Sequence, residues 1–360
     1  MIAGIARALN EFGIVPDILT TRISFTQTDI EEMYGKNVRV NIVIVSRMLP
    51  FWGEWQILAF NARLGKIGSS YDLLINTSNS MGFLPTESNV LSYVFYPRKS
   101  RVDSALADIH FPERKVRTLS VHGFSKLMLR RVYRGVRLHP FHAIVTMTEF
   151  TKSALCQAYP DVKVDLPIVY PAVPFDDLWC EKTERENIVV TAGRFARDKR
   201  QLTQIEIARQ LPNFEFHIFG FRGNSSYFDQ CRKYIGSNRI NNVQLHPDAP
   251  FSELVDCMQR AKYFLHTLVN EPFGLTAVQA MAAGCIPVVH NSGGQVEAVP
   301  VARLRYDETQ VAASTFHQLE KLAKDDIDSM RVELQSHVRS HYHEQVFDSN
   351  IKHELMKALA

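Results

Sequence analysis

Short apolar runs alternate with helical patterns from one end of this chain to the other, and few folds accommodate that alternation. In the first half the runs 38–45, 73–76, 91–96 and 143–147 are predominantly apolar and read as buried parallel strands. In the second half 188–192, 215–219, 243–245, 263–269 and 286–289 are the equivalents. A strand apolar on both faces belongs inside a parallel sheet covered by helices. The chain is therefore expected to be α/β and doubly wound. A length of 360 suits two domains of about 150 residues each. A connector with Pro167, Pro171 and Pro174 separates the halves and places a hinge near 171–177. The expected division is 1–172, 173–337 and a helical tail over 338–360.

The start of the chain departs from this pattern. A Rossmann-like half opens with a strand and a Gly-rich loop before its first helix. Here Met1 falls within a helix, with Ile2, Ile5, Ala6, Leu9 and Phe12 on one stripe, and 16–20 supplies the next strand. The first domain is expected to lack its first strand and loop, about 15 to 20 residues by the dimensions of a βα unit. The alternative is a natural variant that begins with a helix.

Composition excludes several classes. A net charge of +3 gives no reason to expect a nucleic-acid partner. The five cysteines are scattered, without a C-x-x-C pair, which argues against a zinc site and a disulfide scaffold and fits a reducing cytoplasm. No apolar run reaches the length of a membrane span, and the first residues lack the basic region and cleavage site of a signal peptide.

Two motifs carry chemistry. In VVTAGRFARDKR (189–200) a strand runs into Gly193, with Arg194 at its end and Lys199 about a turn later. Ligands of open α/β sheets lie off the carboxyl ends of strands, and an Arg fork with a Lys point charge suits a pyrophosphate. The structural alternative is a solvated charged turn in which Asp198 pairs one of the cations. In EPFGLTAVQAMAAGCIPVVHNSGG (271–294) a strand ends before Glu271, Gly274 opens a helix, Gly284 closes it, and a second strand leads to Gly293 and Gly294. The free N–H groups at that helix start favour an anion, and glycine permits close approach of a ligand. The alternative for Glu271 is a capping acid in the field of the helix dipole.

Together these motifs resemble the donor-binding half of glycosyltransferase family 4, the retaining family with the GT-B fold of two Rossmann-like domains facing a cleft. The resemblance implies that Gly193, Arg194 and Lys199 form the family's G-R-x-x-x-x-K element, whose Arg and Lys hold the donor's diphosphate. It implies that Glu271 binds sugar hydroxyls, that Phe273, Gly274 and Leu275 offer backbone N–H groups, and that Thr276 adds a hydroxyl. The family pattern has a second acid eight positions after the first, which meets the ribose. Here that position is Gln279, an amide that keeps one acceptor and gains two donors without charge. NSGGQVEAV (291–299) follows in the family's order. The tail 338–360 is expected to cross back onto the first domain.

The first domain is less explicit. YDLLINTSN (71–79) and LSYVFYP (91–97) resemble mannosyltransferases that extend lipid-linked oligosaccharides, with Phe95 where those carry histidine. His122 is an acceptor-side candidate, with a surface or core histidine as the alternative. In VTMTEFTKSAL (145–155), Thr148 and Thr151 are expected to cap a helix. The basic amphipathic run 126–139 is a candidate for peripheral contact with an anionic membrane; its alternative is a helix with one core stripe and one solvated face.

The resemblance implies transfer of a hexose from a nucleotide-diphosphate sugar to a hydroxyl of a glycan or lipid-linked acceptor, with retention. The donor would be a substrate, with no further cofactor and no metal, and the mannosyltransferase likeness tilts it towards GDP-mannose. The expected location is cytoplasmic or on the cytoplasmic membrane face. A dehydrogenase is excluded by the lack of G-x-G-x-x-G after a strand. Two rivals remain: a catalytically degenerate paralogue, favoured by Gln279, Phe95 and the short start, and a sugar-nucleotide epimerase of similar fold.

Overall fold

The structure is a computed structural model that describes residues 2–20, 38–44, 67–77, 89–97, 143–158, 165–223 and 226–360. Its contacts divide the chain into two compact units. The first comprises Met1–Met147, Thr151–Val169 and Asp348–Ala360; the second comprises Thr148–Phe150 and Tyr170–Phe347. One passage of the chain between the units falls between Val169 and Tyr170. Residues 167–169 add to a strand edge of the first unit: Thr146 N–H donates to Pro167 O and Val169 N–H to Thr146 O, each at 2.9 Å.

In the first unit the described strands are β1 (Asp17–Thr20), β2 (Asn41–Ile44), β3 (Leu73–Asn76), β4 (Asn89–Val94) and β5 (Ala143–Thr146). They pair in parallel as β1-β2 and as β3-β4-β5. The helix Ile2–Glu11 buries Ile5, Ala6, Ala8 and Leu9, while Ile2 and Phe12 lie exposed at its ends, so the apolar stripe is shorter than the sequence suggests. The final helix, Glu344–Leu359, ties to it by charge. Arg7 donates to both carboxylate oxygens of Asp348 at 2.9 and 3.2 Å, and Lys352 pairs with Glu11 at 3.0 Å. Residues 126–139 and His122 lie outside the described residues.

The second unit is built on one six-stranded parallel sheet. Its strands are β6 (Glu186–Ala192), β7 (Glu215–Gly220), β8 (Val243–Pro247), β9 (Ala261–His266), β10 (Ile286–His290) and β11 (Arg305–Tyr306). The spatial order is β11-β10-β9-β6-β7-β8. Counted within the unit this is the 3-2-1-4-5-6 order of a dinucleotide-binding sheet, which reverses direction between β6 and β9. Val189, Val190, Phe216, Ile218, Phe264, Val288 and Val289 are buried because helices cover both faces. Phe195, Ile205, Ile218, Phe228 and Cys231 form one cluster under the β7 side, where each large side chain contributes about 1.5–3 kcal/mol by leaving water.

Among the described residues, no helix is long and apolar enough to cross a membrane, and no group of His, Cys, Asp or Glu is placed to hold a metal ion.

Candidate active site

The strand order reverses between β6 and β9, and open α/β sheets take ligands off the carboxyl ends of strands at such a reversal. Both sequence motifs arrive there. β6 ends at Ala192 and is followed by Gly193 and Arg194; β9 ends at His266 and is followed by the loop through Glu271 to the helix Leu275–Ala282. The strand expected to run to 269 stops three residues earlier. The cause is a set of contacts distant in sequence that hold Thr267 outside the ladder. Its hydroxyl donates to Lys199 O at 3.1 Å and accepts from Gln204 Nε2 at 3.0 Å, and its carbonyl accepts from Arg200 at 3.3 Å.

The cations of the first motif are treated unequally. Lys199 ends a short 3-10 turn, Arg197–Lys199, and its Nζ lies 2.8 Å from Glu271 Oε2, with both side chains three-quarters or more buried. This contact joins the two motifs across 72 residues of chain. Arg194 points outward, its side chain 60% exposed, and pairs with Asp198 at 3.3 Å. The charged-turn alternative thus describes Arg194 alone.

The turn between these residues is braced from behind. Gln201, buried in the first turn of the helix Gln201–Arg209, donates to Gly193 O at 3.3 Å and Arg194 O at 2.9 Å. Gln204, one turn on, accepts from Thr191 at 2.8 Å as well as donating to Thr267. Gly220, at the end of β7, lies so close to Gly193 O that any Cβ would overlap it. None of these was singled out from the sequence. The signal was present in two glutamines at i and i+3 directly after the cationic turn, a spacing that puts both on one helix face.

The second motif forms the other wall. Gly274 adopts φ of 96° and a Cβ there would press on Gln295, so glycine is required twice over. Ala277 and Val278 make the first helical bonds, both to Gly274 O, leaving the N–H groups of Gly274, Leu275 and Thr276 ahead of the ladder. Phe273 is different: its ring is core, packed on Tyr342 at 5.2 Å and Tyr170 at 6.1 Å. Leu275 is exposed and Thr276 half-buried, as is Gln279, whose amide bonds no described residue.

Gly293 and Gly294 have a structural task. A Cβ on either would overlap the backbone of Asn270–Pro272, and Gly294 N–H donates to Glu271 O at 2.8 Å. The paired glycines therefore let one loop of the protein lie against the loop that carries Glu271.

The segment 148–150 also reaches this neighbourhood. Thr148 Oγ1 donates to Pro272 O at 2.9 Å, and Thr151 Oγ1 to Phe95 O at 3.1 Å. The carboxylate of Glu297 accepts from the N–H groups of Glu149 and Phe150, both at 2.9 Å. A glutamate distant in sequence thus meets N–H groups at the start of this helix. Tyr170 donates to the same carboxylate at 3.3 Å, and burial, followed by Glu297, pushes its phenol up to about 12.

Comparison with solved structures defines the class. The glycosyltransferase from Rickettsia africae ESF-5 superposes with a TM-score of 0.70 at 13% identity, covering 99% of this chain and 93% of that one. Anabaena Alr3699/HepE in complex with UDP-glucose gives 0.72 at 13% identity over 99% and 94%. The fold is GT-B, with Rossmann-like α/β units. Residues 180–329 match the family model Glycosyl transferases group 1. Curated relatives include proteins named GDP-Man:Man(3)GlcNAc(2)-PP-Dol alpha-1,2-mannosyltransferase. That of Dictyostelium discoideum is 27% identical over 176 residues, 43% of this chain and 34% of the relative. That of Xenopus laevis is 32% identical over 145 residues, 35% of this chain and 29% of the relative. The matched part is thus about a third of the length of these relatives.

Proposed function

We propose that this chain is a retaining, metal-independent glycosyltransferase that moves mannose from GDP-mannose to a hydroxyl of a lipid-linked glycan. The observation that carries the proposal is the 2.8 Å contact between Lys199 and Glu271 at the strand reversal, which brings the two motifs into one site. Donor and acceptor are those in the names of the curated relatives.

The roles follow from placement. Arg194, exposed and lightly paired, can swing onto the diphosphate as a bidentate donor, and Lys199 supplies a second charge. The N–H groups of Gly274, Leu275 and Thr276 add helix-start donors on the same side. Together they stabilise the leaving diphosphate, the electrostatic contribution that is usually the largest in such transfers. Glu271 orients the sugar hydroxyls. Gln279 meets the ribose with a neutral amide in place of a charge. The leaving phosphate takes the acceptor's proton, so no protein base is required. A place on the cytoplasmic membrane face belongs to the same proposal and rests on the basic pattern of 126–139.

The test is calorimetry of the purified chain against GDP, UDP, ADP and their sugar conjugates without added metal, followed by a transfer assay with a lipid-linked acceptor. Selective binding of the guanosine ligands and product formation support the proposal. Binding without turnover favours the degenerate paralogue that Gln279 suggests. A changed sugar nucleotide without any acceptor product means an epimerase.

A further inference from the structure

We infer that His266 is a positioning residue of the donor site, which takes up a proton and holds Glu271 when a bound diphosphate draws Lys199 away. The inference rests on the donor-site reading above.

His266 ends β9 and is 6% exposed. Its Nδ1 is buried without a hydrogen-bond partner among the described residues, and so is Gln295 Oε1. The Gln295 amide is oriented by its other end, because Nε2 donates to Leu268 O at 2.9 Å. Its oxygen is therefore available as an acceptor, and Gln295 acts on the imidazole in the direction that raises its basicity. With its proton on Nδ1, the neutral ring leaves Nε2 as a lone pair. The remaining nitrogen, Nε2, faces Glu271 Oε2 at 3.8 Å.

In the neutral ring that nitrogen presents a lone pair to a carboxylate, which gains nothing. In the imidazolium both nitrogens carry protons, so Nε2 gains one to donate towards Glu271. Lys199 decides between the two forms, since its ammonium sits 2.8 Å from the same Glu271 oxygen. The groups acting on the ring are Glu271, Lys199, His290 and the neutral Gln295. Burial holds the ring neutral, helped by Lys199 and His290, while Glu271 and Gln295 oppose them.

A diphosphate against Lys199 shifts that balance. Lys199 keeps its proton and turns its charge to the phosphate oxygens, leaving Glu271 a buried anion without its cation. Nε2 of His266 then takes one proton from solvent, and the imidazolium donates to Glu271. Release of the diphosphate reverses both steps. Glu271 thereby keeps its orientation towards the sugar throughout.

The experiment is calorimetric titration of GDP-mannose at pH 7 in two buffers of different ionisation enthalpy, with wild type and His266→Gln. GDP-mannose is the probe because its diphosphate diester does not titrate near neutral pH. Wild type should take up as much as about one proton on binding and bind more tightly as pH falls from 8 to 6. His266→Gln should take up none, show no such pH dependence and bind about tenfold more weakly, the size of one lost charge-assisted hydrogen bond. Equal proton counts in the two proteins overturn the role of His266 while leaving the donor site intact. Failure of wild type to bind any sugar nucleotide overturns both. Should His266→Gln not fold, NMR titration of the His266 ring in wild type, with and without GDP-mannose, decides: a ring whose titration does not move overturns the inference.

Discussion

Arg194 and Arg331 carry the same guanidinium near opposite ends of one sheet, and the protein uses them in opposite ways. Arg331 lies on the helix Lys324–Tyr342 beside Gly284, which precedes β10. It is 6% exposed, donates to Gly284 O at 2.8 Å and pairs with Asp328. Nearby, Arg185 donates to Lys182 O, Met258 O and Gln259 O just before β6. At the carboxyl ends Arg194 is open to water and holds one exposed acid. A buried cation must be supplied with acceptors by the fold, so its loss leaves a hole and orphaned carbonyls. An exposed, lightly paired cation contributes little to stability and is left with its donors free for a ligand.

That contrast can be broken experimentally. Arg331→Ala should lose about 3 kcal/mol of stability, the scale for breaking a buried ion pair, seen as a lower midpoint in urea. A wild-type midpoint would mean that its bonds are replaced by water. Lys199→Ala should lower turnover about 10²–10³-fold, because it removes charge from the leaving group, and also lower Tm, because the carboxylate of Glu271 loses its cation. If steady-state kinetics show unchanged kcat, Lys199 is a structural partner of Glu271 and no more.

Gly294→Ala lies between the two, since its Cβ would overlap Pro272 O and displace the loop carrying Glu271. It should cost about 1–3 kcal/mol by overpacking and raise the KM for donor. A stable variant with wild-type KM would show that the loop yields freely.

The pH response sharpens the stability side. His337, on the same helix as Arg331, has a buried Nε2 without a partner, and burial, then His341, pushes its imidazole down to about 4. The folded state therefore binds fewer protons than the unfolded chain below about pH 6.5. Its stabilising contribution is complete above that pH and is lost as pH falls towards 4. Tm measured across that window should fall in wild type and fall less in His337→Gln; parallel curves would remove His337 from the account. The smallest effect is expected at Gln279→Glu, where a charged acceptor for ribose hydroxyls should tighten donor binding a few-fold by calorimetry. A large loss would make the amide itself a specific contact.

Much of this was legible in the chain. The apolar runs located the strands within a few residues, because strands covered by helices on both faces are rich in apolar residues. Gly193, Arg194 and Lys199, and Glu271 with Gly274, were visible as local patterns because each is encoded within a few residues of a strand end. Other features were not legible, for identifiable reasons. The end of β9 moved because Gln204 and Arg200, more than 60 residues away, capture Thr267. The helix start at Glu149 is met by Glu297, about 150 residues distant, so a capping search within one turn could not find it. His266 and Gln295 look like ordinary polar residues in sequence; only burial leaves their polar atoms unmet.

The sequence by itself determined the alternation of elements, the α/β class and the residue types gathered at strand ends, because these depend on local periodicity and on glycine's backbone freedom. Tertiary structure alone decided which charges are spoken for. Whether a guanidinium or carboxylate is committed depends on acceptors and donors brought from elsewhere in the chain. The order β11-β10-β9-β6-β7-β8 is what sets Lys199 against Glu271 and leaves Arg194 open.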